Sequence, residues 1–247
     1  MSKPNFIELP GVPPIPILYE DRSVLAIDKP RGWMLVPVSW QKTQRNLQAA
    51  INSSIAAGDF WARSRNLKSL KYVHRLDADT SGVMLFARSH GALEAYSALF
   101  ESRRMEKIYL AVVHGTPKAH EWICDLKIGP DSRQVGKMKI DPGGKEAETW
   151  FKVAKSTSEK AASGNLDAVT LIEARPLTGR THQIRVHLAA GGYPIVGDEL
   201  YGRAGDKQKL GLRAVSLAYV DPFTRRRVLI KAATDEFLRE SGFSTEG

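Results

Sequence analysis

Two strand-length runs near the end of the chain, Ala214 to Val220 and Arg227 to Ile230, flank Asp221-Pro222-Phe223-Thr224. A proline and an aspartate between two such runs turn the chain back, so the pair reads as a hairpin. The same grammar recurs upstream. Val24 to Ile27 is stopped by Lys29-Pro30-Arg31-Gly32, and Gly82 to Ala87 and Lys107 to Val113 are short apolar runs. Thr149, Phe151 and Val153 alternate before a partner run from Ala168 to Ala174, with Ser156 to Asn165 as a polar connection. Strands follow one another across short links, and the strand–helix alternation of a doubly wound fold is missing. The expectation is an α+β fold, a mostly antiparallel sheet with helices packed on it.

Three helices are expected. Leu47, Ile51 and Ile55 lie four apart within Thr43 to Ile55. Ser89 can cap a helix running to about Phe100, with Leu93, Tyr96 and Phe100 on one face. Thr181 can cap a helix from His182 to Ala190, which Gly191-Gly192 can end.

The chain has 247 residues and no repeat or low-complexity linker inside it. One domain is expected over residues 17–235. A proline-rich arm, with Pro4, Pro10, Pro13, Pro14 and Pro16, precedes it over residues 1–16, and a tail follows over 236–247. The lone Cys124 excludes an internal disulfide and suits a reducing, cytoplasmic setting. No apolar run is long enough for a signal peptide or a membrane helix. The formal charge of +9 favours polyanions, nucleic acid first.

No phosphate-cradling glycine motif and no Gly-x-Ser-x-Gly elbow occurs, so nucleotide hydrolysis and dinucleotide binding lack their usual parts. Asp77-Ala78-Asp79-Thr80-Ser81-Gly82 imitates half of a calcium loop, but Arg88 stands where the loop needs a bidentate glutamate. His182 and His187 are five apart, a poor spacing for two ligands on one helix face. No metal and no cofactor is expected.

Two segments carry chemistry. The first, Val73-His74-Arg75-Leu76-Asp77-Ala78-Asp79-Thr80-Ser81-Gly82, places polar groups at a strand edge. It reads either as a reactive loop or as a turn in which Asp77, Asp79 and Ser81 bond to amides. The second runs from Arg175 to Leu188. It crowds Arg180, His182 and Arg185 at the start of a helix, which is already electropositive. Cations there call for an anion. It is either a bound one or a structural carboxylate for Arg185.

Together these segments resemble the RluA-type family of RNA pseudouridine synthases. His74-Arg75-Leu76-Asp77 with Thr80-Ser81-Gly82 resembles its catalytic motif, and Lys107-Ile108-Tyr109 its tyrosine strand. Arg175 to Leu188, followed by Gly192-Tyr193-Pro194-Ile195-Val196-Gly197-Asp198 and Tyr201-Gly202, resembles the third motif. Asp28-Lys29-Pro30-Arg31-Gly32 resembles the first. The chain departs from the pattern at Trp33-Met34-Leu35-Val36-Pro37-Val38, where a His-Pro is usual, at Arg88 for a lysine, and in lacking the small S4 domain of many relatives.

The resemblance implies the pseudouridine synthase fold with an active-site cleft. It also implies conversion of a uridine in structured rRNA or tRNA to pseudouridine, after base flipping. Asp77 is then the nucleophile or base, and Tyr109 stacks on the uracil. Arg185 pairs with Asp77, and Ile184 and Leu188 wall the pocket. His74, Arg75, Thr80, Arg180 and His182 contact the RNA, with Arg75 filling the vacated space. Arg103, Arg104, Lys107, Lys137, Lys139 and Arg225-Arg226-Arg227 are candidate phosphate contacts. The expected partner is an RNA stem-loop, met by a monomer that needs no other protein. The rival reading is a non-catalytic RNA-binding or RNA-folding protein on the same scaffold.

Overall fold

The computed structural model describes residues 3–35, 45–157 and 168–244. Thr43, Val36-Pro37-Val38 and most of the expected 156–165 connection lie outside them. The first strands are β1 (Phe6–Ile7), β2 (Ile15–Glu20) and β3 (Val24–Lys29). Helices α1 (Leu47–Ala57) and α2 (Phe60–Arg63) come next, then β4 (Lys71–Tyr72), β5 (Ser81–Ala87) and α3 (His90–Glu101). There follow β6 (Glu106–His114), β7 (Glu121–Cys124), β8 (Ile128–Pro130), β9 (Met138–Ile140), β10 (Thr149–Thr157) and β11 (Val169–Pro176). The chain ends with α4 (Gln183–Ala190), β12 (Leu212–Val220), β13 (Arg227–Lys231) and α5 (Asp235–Glu240).

The chain forms two compact units. The first holds Met1–Met105 and Ser216–Ala232, the second Glu106–Val215 and Ala233–Gly247. In the first unit β2 pairs antiparallel with β3, and β3 with β5. Residues two apart share a sheet face. Val83, Leu85 and Ala87 of β5 and Val24 and Ala26 of β3 therefore meet Tyr96 and Leu99 of α3 in one core. The Ser89 hydroxyl accepts the Ala92 N–H at 3.2 Å, the cap that the sequence predicts for α3. The expected hairpin forms as the β12–β13 ladder, Ser216↔Lys231 to Val220↔Arg227. The arm is built into this unit: Ile7 pairs with Ile15 across β1–β2, and both are buried.

In the second unit β6, β11, β10 and β7 are neighbours in that order. One face of β6 carries Ala111 and Val113 into a core with Ile172, Ala174 and Phe151, covered by Ile184 and Leu188 of α4. The other carries Val112 into a core with Leu171, Val196, Phe237 and Phe243. Where the sequence suggests a tail, α5 and Phe243 are thus anchored by two buried aromatic rings. No helix of the described residues is long and apolar enough to cross a membrane.

Candidate active site

In the first unit, Leu76 is buried, Asp77 is half-buried and Arg75 is exposed. His74 stacks on Phe100, with ring centroids 4.6 Å apart, and its Nε2 accepts the Leu85 N–H at 3.2 Å. That bond leaves Nε2 unprotonated and ties the start of the loop to β5. The residues after Gly82 are a fully buried strand, so the sequence cannot continue as a calcium loop. Thr80 is buried, and its hydroxyl meets no hydrogen-bond partner among the described residues.

The loop from Asp77 to Thr80 is organised by a residue to which the sequence reading gave no role. Lys29, at the end of β3, is fully buried. Its ammonium donates to the carbonyls of Ala78 at 2.7 Å, Thr80 at 2.9 Å and Pro30 at 3.1 Å. The Gly32 N–H reaches the same Ala78 carbonyl at 2.9 Å. The first motif therefore grips the backbone on which Asp77 stands. Burial pulls the Lys29 ammonium down to about 8, against the pull of Asp79 and Asp77, which favour its charge.

In the second unit, Tyr109 is half-buried and packs against the core cluster that includes Ile184 and Leu188. The loop before α4 is braced by buried Gln183. Its Oε1 accepts from the Thr178 hydroxyl at 2.6 Å and the Arg180 N–H at 2.9 Å. Its Nε2 donates to the Glu148 carbonyl and the Thr149 hydroxyl, both at 2.9 Å. Arg180 Nε donates to the Glu146 carbonyl at 2.8 Å. Lys107 Nζ donates to the Thr178 carbonyl at 2.8 Å. Burial pulls Lys107 down to about 8, and the charge of Arg180 adds to the effect. His187 joins Thr149 and the Leu126 carbonyl, and burial lowers its pKa, which keeps it neutral.

The expected Thr181 cap is corrected. α4 begins at Gln183, and His182 occupies the N-cap position in the left-handed region, φ 56°, without a side-chain cap bond. A non-glycine residue there is strained by roughly 1 kcal/mol or more. Its ring is held by Tyr201, whose hydroxyl bonds Nδ1 at 2.9 Å and also accepts the Met138 N–H at 2.8 Å.

Arg185 is buried and bidentate on Asp198: Nε to Oδ2 and Nη2 to Oδ1, each 2.8 Å. Asp198 Oδ1 also accepts the N–H groups of Leu200 and Tyr201 at 3.0 Å. The Tyr201 ring lies 5.2 Å from the Arg185 guanidinium and 5.4 Å from the Lys137 ammonium. Burial pushes the Asp198 carboxyl up, but the Arg185 bond and charge and the two amides outweigh it, leaving the pKa lowered. Asp198 is thus the structural carboxylate that the sequence left open for Arg185. Sequence reasoning missed Lys29, Gln183, Asp198 and Tyr201 as functional positions. Their only signal was membership of the quoted motifs.

Arg103, Arg104, Lys139 and Arg225-Arg226-Arg227 are exposed, and Lys107 and Lys137 are half-buried. No group of three His, Cys, Asp or Glu side chains suited to a metal occurs among the described residues.

The family described as RNA pseudouridylate synthase matches residues 23–190. The chain is 34% identical over 212 residues to the dual-specificity RNA pseudouridine synthase RluA of Vibrio vulnificus, covering 83% of this chain and 78% of that protein. It is 34% identical over 235 residues to ribosomal large subunit pseudouridine synthase C of Escherichia coli strain K12, covering 90% of this chain and 67% of that one. Among solved structures it is similar to human RNA pseudouridylate synthase domain containing 1, with a TM-score of 0.70 at 24% identity, over 90% of this chain and 84% of that one. That likeness bears on the fold alone.

Proposed function

The chain belongs to the RluA-type family of RNA pseudouridine synthases and is an isomerase of RNA; from that premise we propose that it acts on a uridine in a stem-loop of rRNA or tRNA, with Asp77 as the catalytic carboxylate. The single observation carrying the assignment is the grip of Lys29 on the Ala78 and Thr80 carbonyls. It fixes the backbone on either side of a half-buried carboxylate, which is the preorganisation a nucleophile or base at a sugar carbon needs.

The flipped uracil stacks on Tyr109, which packs against the cluster that contains Ile184 and Leu188. Those two side chains exclude water from the activated sugar. Arg185, the counter-ion that the sequence leads one to expect for the catalytic carboxylate, has its fork held in place by Asp198. Arg75 is exposed and free of the core, which suits a side chain that fills the vacated base position. Thr80, Arg180 and His182 contact the RNA. For His74 the internal bonds support a different role, bracing the loop. The catalytic region spans residues 17–235, and the protein works as a monomer in the cytoplasm. The name of the Escherichia coli relative favours rRNA as the first substrate to try.

The test is release of tritium from RNA labelled at uridine C5, using rRNA and tRNA pools. Wild type releases it and Asp77→Ala does not. Release surviving Asp77→Ala removes the assignment. Tight RNA binding with no release from either pool favours a binding protein.

A further inference from the structure

We propose that Lys107 and Arg180 form a paired site for one backbone phosphate of the RNA, next to the base that lies on Tyr109; this rests on the stacking role given to Tyr109 above. Both cations are held at one short stretch of backbone. Lys107 is bonded to the carbonyl of Thr178, and Arg180 is two residues further on. That stretch is rigid, because Gln183 holds the Thr178 hydroxyl and the Arg180 amide together and ties both to β10.

The hydrogen bonds of the two cations are to neutral acceptors. Lys107 meets the Thr178 carbonyl and Arg180 the Glu146 carbonyl, and neither meets a carboxylate among the described residues. Yet they are close enough for Arg180 to disfavour the charge on Lys107. Two like charges held together, Arg180 on the braced loop and Lys107 reaching it from β6, cost stability unless an anion joins them. The other cation of the region has its counter-ion, since Arg185 is saturated on one edge by Asp198.

Position identifies the anion. Lys107 and Tyr109 are two apart on β6 and so share a face, at a separation of roughly 6.7 Å along the strand. That matches the reach from a nucleobase to its own backbone phosphate. A base stacked on Tyr109 places a phosphate at Lys107. The planar guanidinium of Arg180 can then take two of its oxygens while the ammonium acts as a point charge.

The test measures binding of the whole protein to a fluorescein-labelled 12-residue oligouridylate between 50 and 300 mM KCl. Lys107→Met and Arg180→Met are each expected to weaken binding about tenfold at the low-salt end. Each should also shrink the log–log salt slope by about 0.7, the contribution of one phosphate on a single strand. Arg180→Lys should keep the slope and lose part of the affinity. Wild-type binding should weaken as pH rises through about 8, where Lys107 loses its proton, and Lys107→Met should lack that loss. Slopes equal to wild type in both Met variants overturn the site. Should Lys107→Met fail to fold, Arg180→Met and Arg180→Lys decide it alone. Wild-type tritium release is scored in parallel. Release with unchanged slopes removes this site and keeps the enzyme reading, whereas reduced slopes without wild-type release do the reverse.

Discussion

Removing the Asp198 carboxylate should be among the most damaging single changes in the second unit. Arg185 and Asp198 are 7% and 2% exposed, joined by two parallel bonds of 2.8 Å. Asp198→Ala strips a buried guanidinium of this partner and removes the acceptor of the Leu200 and Tyr201 amides. Breaking a buried pair from one side costs ~3–5 kcal/mol, and each amide left without a partner costs ~1 kcal/mol or more. Water entering the vacated space returns part of this, so a loss of about 4 kcal/mol is expected. That is a large share of the ~5–15 kcal/mol by which folded proteins are stable. Arg185→Met should cost about 3 kcal/mol by stranding Asp198 in the same way. The double variant leaves neither charge stranded, so it should be ~2–3 kcal/mol more stable than the sum of the singles predicts.

The assay is urea unfolding at pH 7 of wild type, both singles and the double. Asp198→Asn keeps the shape and one acceptor, and replaces Asp198→Ala should that variant not fold. Because the Asp198 pKa is lowered, its contribution is complete above the ordinary carboxylate value of ~3.9 and is lost only as pH falls through the lowered one. A measurement at pH 7 therefore sees all of it. Single effects that add within ~0.5 kcal/mol would refute the reasoning, since independent sites add and coupled ones do not.

Lys29→Met loses three carbonyl bonds at ~1.5 kcal/mol each and regains the roughly 3 kcal/mol that burying the charge costs. The protein should lose only about 1–2 kcal/mol in urea, while tritium release drops at least tenfold because the Asp77 loop has lost its anchor; unchanged release would show that the grip is incidental. Since Lys29 titrates at about 8 and not at its ordinary 10.5, the unfolded chain binds more protons between those values, so its part of the stability rises with pH there. Release should nonetheless fall above pH 8 in wild type, and less steeply in Lys29→Met. Gly197→Ala would place a Cβ 2.4 Å from the Lys209 carbonyl oxygen at φ +68°, so a loss of ~2–4 kcal/mol in thermal or urea unfolding is expected. Tyr201→Phe removes the acceptor of the Met138 amide and the partner of His182. It should cost ~1–2 kcal/mol and reduce kcat more than it raises KM; a pure KM effect would contradict its placement beneath Arg185.

Signals confined to a few residues were legible. The Ser89 cap, the buried run that became β5 and the turn at Asp221 each depend on neighbours in sequence. The Thr181 cap failed because a competing arrangement won: Gln183 gathers the loop from within, and His182 takes a strained backbone that Tyr201 stabilises. The burial of Phe237 and Phe243 was not legible, because neither says anything locally about the Val112 and Leu171 with which it clusters.

From the sequence alone came the α+β class, several of its strands and the residue types with which an RNA isomerase works. Its cations at the head of α4 also announced that an anion was needed. Only the tertiary structure decided that Asp198 is that anion for Arg185, and that Lys29 reaches carbonyls 49 and 51 residues away. A charge removed from water is satisfied by the groups that packing brings within about 3 Å. Residues brought that close by the fold can stand anywhere along the chain.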